Sequence, residues 1–194
     1  VIGPFGTGKT FTLSLACVTI LNQPQRNKVL ICTHSNSAAD IHLEHLNAKI
    51  ESNPLFNNLR PLRVLNLFRR VKTVPEVLRK YCLIEESTNI IKEPLWEEIH
   101  DHNVIITTLA SARMLWKFYR DEELRFTHIL IDEAAQALEP ECVTPLAMAD
   151  QKTKIVLAGD HKQMGPPVYS KCLWAEDFGP KRSLLERLFT YYKQ

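Results

Sequence analysis

Residues Gly3-Pro4-Phe5-Gly6-Thr7-Gly8-Lys9-Thr10 place Gly3, Gly8, Lys9 and Thr10 at the spacing G-x-x-x-x-G-K-T of a phosphate-binding loop. Each residue type has a physical task. Glycines, with Gly6 and Thr7 between them, let the chain curl so that successive backbone N–H groups face the phosphates. A helix opening near Lys9 adds the positive end of its dipole. The Lys9 ammonium is placed to reach the β and γ phosphates, and the Thr10 hydroxyl to ligate Mg²⁺, a hard cation that takes oxygen ligands. Such a loop ordinarily follows a buried strand, yet only Val1 and Ile2 precede Gly3. The sheet is therefore expected to be incomplete at its N-terminal strand, and the chain to be a piece of a longer protein.

Outward from the loop, short β-branched runs at Lys28 to Thr33, Asn103 to Thr107, His128 to Asp132 and Lys154 to Ala158 read as buried strands. Phe11 to Leu21, Ser37 to Ile50, Ser111 to Tyr119 and Ser183 to Tyr191 carry apolar residues at helical spacing. Strand and helix in alternation predict an α/β fold, a mostly parallel sheet with helices on both faces and ligands at the carboxyl ends of the strands. Residues 53–101 break the rhythm with Pro54, Pro61, Pro75 and Pro94, and are expected to form an insertion with a short strand at Leu62 to Leu67.

Two further strand ends carry chemistry. Asp132 and Glu133 follow His128-Ile129-Leu130-Ile131, a pairing in which one acid holds hydrated Mg²⁺ and the other orients and deprotonates water. Two acids there could also cap a following helix, but beside a phosphate loop the catalytic reading is favoured. After the next strand, Gly159-Asp160-His161-Lys162-Gln163-Met164-Gly165-Pro166 offers Gln163 as a γ-phosphate sensor, though a Gly/Pro turn would look similar.

At 194 residues the chain suits one domain with its own core. Its five cysteines, Cys17, Cys32, Cys82, Cys142 and Cys172, are scattered and never in C-x-x-C spacing, which fits free thiols in a reducing compartment and argues against structural zinc. No apolar run approaches a membrane span. Net charge is only +2, but Arg60, Arg63, Arg69, Arg70, Lys72, Arg79 and Lys80 stand against the single acid Glu76 between positions 60 and 80. That window could meet a phosphate backbone, with Phe68 and Tyr81 for stacking, or could be a solvated face or a contact with another domain of a longer protein. His42, Glu44, His45, His100 and His102 lack the H-E-x-x-H spacing, and the histidines are expected on the surface and in loops.

Taken in order, these motifs resemble the Upf1-like group of superfamily 1 helicases over nearly the whole chain. Gly3 to Thr10 is similar to motif I, Thr33-His34-Ser35-Asn36-Ser37-Ala38-Ala39-Asp40 to motif Ia, and Asn103 to Ala112 to motif Ic. Asp132-Glu133-Ala134-Ala135-Gln136 is similar to motif II and Gly159 to Pro166 to motif III.

The resemblance implies the first RecA-like motor domain, partial, of an ATP-dependent RNA or DNA helicase. ATP phosphates and Mg²⁺ would lie at Gly6, Gly8, Lys9, Thr10 and Asp132, with Glu133 as base and Gln163 as sensor. Gln136 would couple nucleotide state to strand binding. Ser35, Asn36, Thr107 and Thr108 would contact a single-stranded backbone. A second RecA-like domain supplying arginine, and a cytoplasmic or nuclear setting, are implied as well. Phe5 replaces the usual second proline of motif I, His34 the usual proline of motif Ia, and Met164 the commoner leucine of motif III. Two rivals remain: a nucleotide-gated RNA-binding scaffold with negligible turnover, and a GTPase or small-molecule kinase. The intact Lys9, Thr10, Asp132 and Glu133 weigh against the first, and the lack of N-K-x-D after a strand against the second.

Overall fold

The computed structural model describes residues 1–85, 87–163, 165–167 and 182–193; Met164 and Cys172 lie outside them. Its centre is a parallel sheet of five strands: β1 (Val29–Thr33), β2 (Pro61–Arg63), β5 (Val104–Thr108), β6 (His128–Asp132) and β7 (Lys154–Leu157), in the order β2-β5-β1-β6-β7. β1, β5 and β6 are buried along all five of their residues, as β-branched runs covered on both faces should be. Register aligns their carboxyl ends, with Thr33 opposite both Thr108 and Asp132. The candidate residues of three distant sequence segments therefore meet at one edge.

Helices α1 (Lys9–Leu21) and α2 (Asn36–Ser52) cover one face, where Cys17, Val18, Leu43 and Leu46 pack on Val29, Ile31, Val104 and Ile106. On the other face, Leu30, Cys32, Ile105 and Ile129 pack against residues of α3 (Trp96–Asp101), α4 (Trp116–Asp121), α5 (Glu139–Leu146) and α6 (Leu184–Tyr192). The helix expected over 111–119 divides instead. Ala112–Leu115 is a 3₁₀ turn held by i→i+3 bonds such as Met114 N–H to Ser111 O (3.0 Å), and α4 begins only at Trp116. Apolar spacing of three and four residues suits either winding. Among the described residues, no helix is long and apolar enough to cross a membrane.

Residues 53–101 are not wholly an addition to the core, because β2 within them is an edge strand paired with β5. The strand is shorter than the expected 62–67. After Val64, whose N–H still donates to Ile106 O (2.9 Å), the chain turns away and Leu65 joins a small separate cluster with Val71, Val74 and Ile91. That cluster sits beside a two-stranded antiparallel ladder, β3 (Ile84–Glu85) with β4 (Ile90–Ile91). At the opposite sheet edge, Ile2 bridges Gly159 in parallel, and the Gly159 N–H donates to Val1 O (3.1 Å). The residues before the phosphate loop thus run as strand alongside the end of β7.

Candidate functional site

The loop between Ile2 and α1 has the conformation its glycines predict. Gly6 (φ 76°) and Gly8 (φ 82°, the N-cap of α1) are left-handed, a region that L side chains rarely occupy. Lys9 folds back across the loop, donating from Nζ to Gly3 O (2.7 Å) and Pro4 O (2.8 Å). Its ammonium therefore stands over the backbone cradle in front of the amino end of α1, the position in which an anion would be met.

Across the cleft, Thr10 Oγ1 donates to Asp132 Oδ2 at 2.6 Å, joining the start of α1 to the end of β6. His42 Nε2 lies 3.1 Å from the same oxygen, and the Glu133 N–H donates to Oδ1 (2.9 Å). Asp132 is buried, which pushes its carboxyl up, but the bonds from His42, Thr10 and the Glu133 amide outweigh burial and hold it below the ordinary range. It is poised as a carboxylate with most of its acceptor sites satisfied. Glu133 adopts φ 55°, a left-handed backbone costing about 1–3 kcal/mol for a non-glycine residue, of the kind that gathers at functional sites. Its Oε2 accepts from the Ser35 N–H (3.0 Å), at the start of α2.

These groups line one cleft of about 370 Å³, closed by Gln136 beyond β6, by Gly159, Asp160 and Gln163 beyond β7, and by Phe11, Ile41 and His45 on the α1/α2 side. Gly159 is required by closeness: a Cβ there would stand 2.9 Å from Ala135 N and 2.8 Å from Leu185 Cδ2. Among the described residues, no group of three or more His, Cys, Asp or Glu could hold a metal by itself. The cleft's donor set, one hydroxyl and buried carboxylate oxygen, instead suits Mg²⁺, which is held by one or two carboxylates together with phosphates and water.

The expected strand-contacting residues separate into two kinds. Asn36 is exposed and Ser35 half-buried at the head of α2, where Ser35 Oγ caps the helix by accepting from the Ala38 N–H (3.1 Å). Thr107 and Thr108 close β5 at the same edge of the sheet. Both are buried, with hydroxyls spent on Val64 O (3.0 Å) and Ser111 Oγ (3.1 Å), because they are the last residues of a strand flanked on both sides.

Part of the basic window is paired within the chain. Arg63 is 1% exposed and donates from Nε to Asp40 Oδ1 (3.2 Å), while Arg69 grips both Asp40 oxygens (3.2 and 2.6 Å). Burial lowers the Arg63 pKa, and Asp40 opposes that. Lys80 pairs with Glu51 (2.9 Å), Tyr81 donates to Asn47 Oδ1 (2.7 Å) and half-buried Arg79 donates from Nε to Val74 O (3.3 Å), which leaves Arg60, Arg70 and Lys72, with Phe68, exposed and without such a partner among the described residues. The histidine expectation fails at one position: His42 is wholly buried on Asp132.

Parallel sheet, curled loop and paired acids together define the RecA-like phosphate-loop class. A family described as "AAA domain" matches residues 1–91 and 69–171. The human "Probable helicase with zinc finger domain" is 47% identical over 194 residues, 99% of this chain and 10% of that protein. Human "3'-5' exoribonuclease HELZ2" is 41% identical over 100% of this chain and 6% of its own length, and mouse "RNA helicase Mov10l1" 34% identical over 97% and 15%. The chain thus spans about a tenth of its first relatives. A solved structure of S. cerevisiae Dbp5 bound to Nup159, Gle1, IP6 and ADP shares the fold, with a TM-score of 0.52 over 81% of this chain and 36% of that one at 17% identity. The chain belongs to the Upf1-like superfamily 1 helicases, within the AAA domain family.

Proposed function

We propose that the chain is the first RecA-like motor domain of an ATP-dependent helicase, binding ATP·Mg²⁺ in the cleft and a single strand of RNA, or DNA, across the carboxyl edge of the sheet. The observation that carries this reading is the convergence of Lys9, Thr10, Asp132 and Glu133 on one cleft, with Thr10 and Asp132 in direct contact. In it, Lys9 exchanges the Gly3 and Pro4 carbonyls for the β and γ phosphates, and the amides of Gly6, Thr7 and Gly8 hold the phosphate oxygens. Thr10 and Asp132 hold Mg²⁺, which when bound spreads the phosphate charge. Glu133 orients the attacking water and takes its proton, and Gln163 contacts the γ phosphate. Gln136 couples this state to the strand, which meets Asn36, Ser35 and the exposed basic residues through its backbone. A second RecA-like domain elsewhere in the protein completes the cleft with arginine, a contribution of about 10³ to 10⁵ in rate in related phosphoryl transfer. The free thiols accord with a cytoplasmic or nuclear setting.

The test is nucleotide binding and turnover in the full-length protein. Lys9→Ala is expected to abolish binding of a fluorescent ATP analogue in Mg²⁺, and undiminished affinity refutes the site. Glu133→Gln is expected to retain affinity while losing RNA-stimulated turnover, since it removes a base and no phosphate contact.

A further inference from the structure

His42 stands on the face of α2 that also buries Ala39, Leu43 and Leu46, and its side chain is wholly shielded from solvent. An apolar residue would serve packing there. A buried imidazole is costly unless both nitrogens find partners, and both do: Nδ1 lies 2.8 Å from Ser14 Oγ on α1, and Nε2 lies 3.1 Å from Asp132 Oδ2. A carboxylate only accepts, so Nε2 carries the proton in this contact. With Nε2 protonated, Nδ1 accepts from the Ser14 hydroxyl, whose oxygen also lies 2.9 Å from Thr10 O, which ties the imidazole to the same turn of α1 that presents the Thr10 hydroxyl. The carboxylate torsion of Asp has a broad, soft profile, so its plane is set by its donors. Of the two side-chain donors on Oδ2, Thr10 is itself assigned to the metal, and His42 has no other task.

We propose that His42 is a positioning residue for Asp132, fixing from α2 the carboxylate that serves Mg²⁺. This rests on the nucleotide reading above. Outer partners of metal-bearing groups typically carry 10–100-fold in metal affinity or activity. Glutamine places its amide nitrogen near the position of Nε2, whereas asparagine reaches only as far as Nδ1. His42→Gln therefore keeps the donor to Asp132, His42→Asn keeps only the Ser14 side, and His42→Leu keeps neither.

In the full-length protein, two quantities are read against Mg²⁺ concentration: equilibrium affinity for a non-hydrolysable ATP analogue, and RNA-stimulated ATP turnover. His42→Asn and His42→Leu are expected to need about 10-fold more Mg²⁺ or more for half-maximal effect, with His42→Gln restored to near wild type. Equal behaviour of the Asn and Gln variants, or a folded Leu variant matching wild type, overturns the proposal. If the Leu variant does not fold, the Asn and Gln contrast decides. A wild type showing no Mg²⁺-dependent nucleotide binding overturns the nucleotide reading and this proposal with it, whereas a normal wild type with Asn equal to Gln overturns the role of His42 alone.

Discussion

Replacing Asp40 by alanine strands the most deeply buried cation of the sheet face. Asp40 Oδ1 accepts from Arg63 Nε and from Arg69 Nη1, both at 3.2 Å, and Oδ2 accepts from Arg69 Nη2 at 2.6 Å. Arg63, at 1% exposure, would keep only the neutral acceptors Val64 O (2.9 Å) and Asn36 Oδ1 (3.0 Å), with Ile106 O at 3.5 Å. Arg69, also largely covered, keeps Thr73 O (3.0 Å), Thr73 Oγ1 (3.2 Å) and Asn36 Oδ1 (3.3 Å), so the larger cost falls on the more deeply buried Arg63. Leaving one partner of a buried pair uncompensated costs about 3–5 kcal/mol, a large part of the roughly 5–15 kcal/mol by which a domain is stable. With a urea m-value of about 2–3 kcal/mol/M, the midpoint should fall by about 1 to 2.5 M. The assay is urea unfolding of the 194-residue chain followed by circular dichroism, on the wild type, Asp40→Ala, and Asp40→Leu combined with Arg63→Met. Removing the Arg63 charge as well should recover the part of the loss that falls on Arg63, since a buried pair contributes little beyond its apolar replacement. A single variant that loses less than about 1 kcal/mol, or a double variant no better than the single, refutes the account of Arg63 as a cation that depends on Asp40.

Replacing Arg60, Arg70 and Lys72 by Gln should weaken single-stranded RNA binding and lower the log–log salt slope by up to about 0.7 per lost phosphate contact, with sequence preference unchanged; an unaltered slope removes these residues from the strand path. Burial pushes the Cys17 thiol up to about 12, and burial foremost raises Cys82 and Cys142 to about 11. Iodoacetamide at pH 8 should therefore label these three slowly in the native chain and rapidly in urea, read by mass spectrometry, because the thiolate is the nucleophile. Fast native labelling of Cys17 refutes its assigned burial.

The phosphate loop, the central strands and the two acids were legible because each leaves a local signature. Left-handed turns call for glycine, as at Gly6 and Gly8, and strands covered on both faces read as continuous apolar runs. His42 was missed because its partner is 90 residues away, and only the register of β6 beside β1 brings the two together. A signal did exist: Ala39, His42, Leu43 and Leu46 fall at i, i+3, i+4 and i+7, the stripe of α2 that faces the core. A metal-motif spacing test could not see a histidine whose partner is a carboxylate on another element. Summing charge over positions 60 to 80 failed at Arg63 and Arg69 for the same reason, since their counter-charge, Asp40, lies outside the window on α2.

Three sets of site contacts that sequence spacing could not show originate on one helix and its cap. At its head, the Ser35 amide holds Glu133; at Asp40 it neutralises Arg63 and Arg69; at His42 it holds Asp132. Asn36, the exposed residue assigned to the strand, accepts from Arg63 and Arg69 (3.0 and 3.3 Å) and so belongs to the same unit. A hydrogen-bonded helix of 17 residues moves as a body more readily than it deforms along its length. In the proposed reading, a strand that displaces the head of α2 therefore acts on both acids at once, through the Ser35 amide on the base and through the His42 imidazole on the metal-bearing carboxylate. Communication between strand and nucleotide then needs the rotation or shift of one element, with no relay through the long segment that follows it.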